Sequence, residues 1–133
     1  MNLKLILQLS LFGLFMSVGT VYLIPSSAEP YCWLVIFIIC AYIIAKQCTS
    51  KYFLNGFLTS LTNCVWITGA HILFFTDYAA HHAEEMKMSA ANPFMADHPR
   101  LMMLIFGPVV GIASGLVLGL FAFLANKILN KKS

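Results

Sequence analysis

Most of the side chains able to do acid–base or metal chemistry fall in one stretch. Between Asp77 and Arg100 lie His81, His82 and His98, three of the four histidines, together with Asp77, Glu84, Glu85 and Asp97, four of the five acids. Imidazole and carboxylate suit zinc, iron or manganese. Asp77, His81 and Glu85 recur at intervals of four, one above another on a helix. With His82 on the same segment and His98 contributed from further along, these five residues form a candidate site for a divalent transition metal. The opposing reading is an exposed helix that is simply solvated. No HExxH or paired ExxH spacing chooses between them.

His71 lies alone within an apolar run, and ionisable residues inside a membrane span point to ion, proton or ligand handling by default. The competing reading places it at the membrane interface, since it sits only a turn or so below the outer boundary. Asn63 and Trp66, deeper in the same run, read as interhelical hydrogen bonding and packing. On one continuous helix, Ser60, Cys64, His71, Tyr78, His82 and Glu85 fall within a narrow sector, from about −40° to +20° around His71.

The elements that must position these groups follow from composition. Of the 133 residues, 60% are apolar and 10% charged, with mean hydropathy +0.84. Soluble domains are nearer half apolar and a quarter charged, so a water-soluble globular fold is excluded. The apolar residues form four blocks of near bilayer-crossing length, about 3–24, 31–48, 53–76 and 99–125. The expected fold is therefore an all-α membrane bundle of four helices forming one membrane domain, with the lipid bilayer as its surroundings. Pro30 suits the first turn of the second span and the His98-Pro99 pair opens the fourth. The segment from Asp77 to Met88, rich in good helix formers, predicts a third helix continuing two or three turns beyond the membrane. Ser89, Asn92 and Pro93 then stop it, leaving 77–100 as the outer loop.

Lysine and arginine set orientation. Lys4, Lys46, Lys51, Lys127, Lys131 and Lys132 fall on one side, Lys87 and Arg100 on the other. That bias predicts both termini in the cytoplasm, of a bacterial inner membrane, and argues against dual-topology insertion. All five acids then lie outside, so six positive charges inside and a net three negative outside give the formal +3. The basic balance is thus a topology signal, and no basic patch interleaved with aromatics suggests a nucleic acid. Ser26-Ser27-Ala28 resembles a signal-peptide cleavage position, but the preceding apolar run exceeds the usual 7–15 residue core of such peptides.

The fourth span carries Gly107, Gly111, Gly115 and Gly119 at strict intervals of four, with Ser114 beside them. Such a face lets another helix approach closely. It serves either a second copy or a membrane-protein partner, or this chain's own first or third span. Gly13 and Ser17 in the first span offer a matching small-residue face. Pro108, inside the same span, removes the hydrogen bond to the Leu104 carbonyl and predicts a bend. The four cysteines make no framework: Cys40 and Cys64 are mid-span, Cys48 is at the inner side, Cys32 at the outer edge, and no Cys-x-x-Cys occurs.

Several classes fall by absence. Haem held between spans needs facing axial ligands, and only His71 lies within one. A proton-coupled exporter needs an intramembrane carboxylate, and none is present. Three classes stay open: a non-enzymatic accessory, scaffold or complex subunit packing through the glycine face; a small transporter or ion-linked permease using His71 and the outer cluster; and a metal-dependent membrane enzyme at the outer face.

Overall fold

The computed structural model describes residues 1–130 and contains seven helices and no strand among them. Lys131 and Lys132, counted above towards orientation, lie outside the described residues. Four long helices make the bundle: α1 (Leu3–Tyr22), α2 (Glu29–Gln47), α3 (Tyr52–Leu73) and α7 (Pro99–Asn130). Three short ones, α4 (Phe75–His81), α5 (Ala83–Ala90) and α6 (Pro93–Asp97), lie between α3 and α7. α1, α2 and α7 are each long and apolar enough to cross a membrane, and α3 joins them when taken together with α4.

Local chemistry sets most of the boundaries. The Asn2 side chain accepts from the Leu5 N–H and caps α1, satisfying one of the donors a helix start leaves unpaired. α2 begins with Pro30 in its first turn, where a missing N–H costs nothing. Asn92 caps α6 by accepting from the Phe94 N–H at 3.0 Å, at the stop that Ser89, Asn92 and Pro93 predict. α7 runs unbroken through Pro108.

The third helix does not project outward as predicted. The chain breaks at Phe74 and α4 leaves at 92° to α3, with no proline or glycine at the turn. The turned segment packs against α1, where the Tyr22 hydroxyl donates to the Asp77 carboxylate at 3.1 Å and the Tyr22 ring meets those of Phe74 and His81. Tertiary contacts to α1 thus decide a direction that helix propensity alone leaves straight.

α3 is the central element, flanked by α1 and α7. The glycine stripe lies along the α3–α7 seam, so the face is filled by the chain's own third span. A Cβ on Gly107 would fall 2.3 Å from Thr68 Oγ1, one on Gly111 2.9 Å from Cys64, one on Gly115 2.9 Å from Phe57 and one on Gly119 2.9 Å from the Phe53 backbone oxygen. Gly56 answers from α3, where a Cβ would meet the Leu118 carbonyl oxygen at 2.7 Å. Of the readings open for this face, packing on the chain's own third span is the one these contacts display. Gly13 also serves a different seam from the one expected, because its missing side chain makes room for Asn63 of α3. Ser60 and Ser114 hydroxyls bond across α3–α7 at 2.9 Å, and the Trp66 indole N–H donates to Ser10 on α1 at 3.2 Å.

Near the end that holds Asn2 and the α2–α3 turn, α1, α2 and α7 close on an apolar core of Leu5, Leu9, Phe37, Cys40, Ala41, Ile44, Leu118 and Ala122. All four cysteines are free thiols.

Candidate functional site: an inner cavity capped by stacked rings

Above that core α2 makes little contact with α3 while staying on α7. The space left is a cavity of about 570 Å³, within the range of small-molecule sites. α3 supplies Ser60, Asn63, Cys64, Thr68 and His71; α2 supplies Glu29, Trp33 and Phe37; α7 supplies Phe106, Val110 and Ser114; and Tyr78 closes it from α4. Glu29, His71 and Tyr78 gather at one end, and Phe37, Ser60, Ser114 and Val117 line the other.

Three rings cap the outer end. His71, Tyr78 and His82 stack in series with centroids 4.2 Å apart at each step. The turn at Phe74 builds this stack, since it folds Tyr78 back over His71. Thr20 of α1 anchors both imidazoles. Its hydroxyl donates to the Met16 carbonyl at 2.9 Å, so it receives the His71 Nε2–H at 3.0 Å. In the neutral ring that leaves His71 Nδ1 as an acceptor without a protein partner, beside the cavity. The Thr20 carbonyl accepts from His82 Nε2 at 2.6 Å, which fixes the proton on that nitrogen.

His82 is 2% exposed. Its Nδ1 meets the Ser26 hydroxyl at 2.7 Å and lies 3.7 Å from the Glu85 carboxylate. Burial pushes the Glu85 carboxyl up, but the Ser26 hydroxyl, its own backbone N–H and the His82 ring outweigh that and hold it below its ordinary value. The outer α1–α2 turn is thereby fastened to the segment following α4.

Asn63 stands apart from every other polar group in the interior. It is 2% exposed, and neither its amide nitrogen nor its oxygen has a hydrogen-bond partner. The interhelical hydrogen bond expected of it does not form. Its amide rests against Gly13 while the residue lines the cavity.

The five candidate metal ligands are not brought together. The Asp77 carboxylate accepts from Tyr22, and His81 Nδ1 turns to the Asp77 backbone carbonyl at 2.8 Å. His82 and Glu85 pair with Ser26, and His98 packs edge-on to Phe94. Among the described residues no three His, Cys, Asp or Glu side chains form a group able to hold a metal ion. The break at His82 is the physical reason, because it leaves Asp77 and His81 on α4 and puts Glu85 on a separate helix, α5.

The groups that do converge are hydrogen-bond formers. The Cys64 thiol donates to the Gly107 carbonyl at 2.8 Å and the two serines bond each other, so neither is paired with a base as a nucleophile needs. Sequence reasoning missed Thr20, Ser26, Glu29, Trp33 and Phe106. Glu29 and Trp33 had a signal: they are four apart on one helix face, and the indole N–H donates to the carboxylate at 3.3 Å.

No protein-family model, curated protein or solved structure matches the chain.

Proposed function

We propose that this chain is a non-enzymatic component of a bacterial cytoplasmic membrane, crossing it four times with both termini inside, that binds a small amphipathic molecule in the cavity between α2, α3 and α7. The observation that carries the reading is the 570 Å³ cavity itself, lined by apolar and aromatic side chains together with Glu29, Ser60, Thr68 and His71. The lysine and arginine bias of the sequence supports the orientation.

Transport through the bundle is the weaker reading. Below Ser60 and Ser114 the interior holds Leu5, Leu9, Ile44 and Leu118, and the buried Asn55 and Thr59 there are bonded within the chain, which leaves a polar solute no lined route onwards. The accessory-subunit reading also loses its first support, because the glycine face meets α3.

The test is a titration with the neutral fluorophore 1-aminoanthracene in dodecylmaltoside micelles. Saturable binding at one molecule per chain, abolished when Ile67→Trp fills the cavity, supports the reading. Unsaturable partition, identical in both proteins, overturns it.

A further inference from the structure

The cavity wall has a charge pattern that bears on what it holds. Glu29 is the one formally charged side chain among the lining residues, and it stands at the outer end beside an aromatic wall. Trp33 and Phe37 of α2 meet edge to face at 5.9 Å, Tyr78 lies in the ring stack, and Phe106 faces them from α7. The indole of Trp33 is the one hydrogen-bond donor Glu29 has among the described residues. A place in the first turn of α2 steadies a carboxylate but leaves its charge without a counter-ion.

The two cations at this end of the molecule are engaged elsewhere. Lys87 pairs with Glu84 at 2.7 Å, and the Arg100 guanidinium lies 5.5 Å above the Phe75 ring. The remaining acids there, Asp77, Glu85 and Asp97, leave the approach negative, which raises the local concentration of cations and repels anions. Aromatic faces around a carboxylate suit an ammonium group, attracted by the ring quadrupoles as well as by the charge. The free His71 Nδ1 adds an acceptor for an ammonium N–H.

Resting on the reading of the cavity as a binding site, we infer that its ligand is an organic cation: an ammonium group, held between Glu29 and the rings of Trp33 and Tyr78, on an apolar body that fills the space down to Phe37.

The probe is 4-phenylbutyl(trimethyl)ammonium, competed against bound 1-aminoanthracene in uncharged dodecylmaltoside micelles. The cation should displace the fluorophore at about tenfold lower concentration than the neutral alcohol 4-phenylbutanol. Glu29→Gln should remove that advantage, with an unchanged circular-dichroism melt in the same detergent showing that the variant folds. Equal displacement by cation and alcohol from the wild-type protein overturns the inference, as does an advantage that survives in Glu29→Gln. If Glu29→Gln loses the fluorophore too, the wild-type comparison of cation and alcohol decides alone. Failure of 1-aminoanthracene to bind the wild-type protein removes the cavity reading itself, a separate outcome.

Discussion

At the scale of single residues, Asn63 and His82 show opposite treatments of buried polarity. His82 is as buried as Asn63, yet both its ring nitrogens are bonded, so its burial is compensated within the chain. Asn63 has no such compensation. An unpartnered amide in the interior is a net cost that an apolar side chain of similar size removes. Asn63→Leu should therefore stabilise the ligand-free protein by about 1–3 kcal/mol, seen as a higher midpoint of thermal unfolding in detergent. A variant less stable than the wild type would show that the amide contributes to folding. The sequence marks both residues, since an amide and an imidazole in apolar surroundings stand out by type alone. It cannot tell which one finds partners, because those partners (Thr20 and Ser26 for His82) come from a helix and a turn more than fifty residues away.

At the scale of elements, the long helices are legible in hydropathy because a helix that crosses a bilayer must be apolar over a fixed thickness. The glycine spacing is equally legible as a close-packing face, yet spacing carries no information about which helix fills it. α3 does, and its own Gly56 completes the contact. Adding a methyl group at Gly56 puts Cβ 2.7 Å from a backbone oxygen of Leu118, where no side chain can rotate aside. Gly56→Ala should cost about 1–3 kcal/mol or more through separation of α3 from α7. Gly69 supplies the control: it is on the same helix, and a Cβ added there would have nothing within 4 Å, so Gly69→Ala should be neutral or stabilise by up to about 1 kcal/mol through helix propensity. Parallel unfolding measurements check both, and equal effects would exclude the close α3–α7 approach as the cause. The break at Phe74 is the element the sequence hides. Residues 75–81 have ordinary helical composition, and contacts with Tyr22 turn them aside. The Ser60-to-Glu85 sector still identifies His71, Tyr78 and His82 as neighbours, although they meet by folding back rather than along a straight helix.

At the scale of the whole molecule, the turn at Phe74 and the charge bias make a joint statement about sidedness. α3 qualifies as apolar enough to cross only together with α4, and α4 lies at 92° to it, so crossing depends on the 22 residues of Tyr52–Leu73, which rise about 33 Å as a helix against a hydrocarbon core of about 30 Å. If α3 crosses, the α2–α3 turn and the α5–α6 segment lie on opposite sides of the membrane. If it does not, they share a side. On the proposed orientation the first, which carries the lysines at 46 and 51, is cytoplasmic, and the second, whose one lysine or arginine is Lys87, is outside. A cysteine at each position separates the cases, in a background where Cys32, Cys40, Cys48 and Cys64 are replaced by alanine or serine. With a membrane-impermeant maleimide, Ser89→Cys should react in intact cells and Ser50→Cys only after the membrane is opened. Reaction of both in intact cells would remove α3 from the set of spans, and reaction of Ser50→Cys alone would invert the orientation. The cavity follows the outcome, because Glu29 and Tyr78 mark its outer end at the same end of the bundle as the turn at Phe74. Labelling of Ser89→Cys from outside therefore places the ligand's entry on the outer face, where a cation reaches Glu29 without first crossing the bilayer.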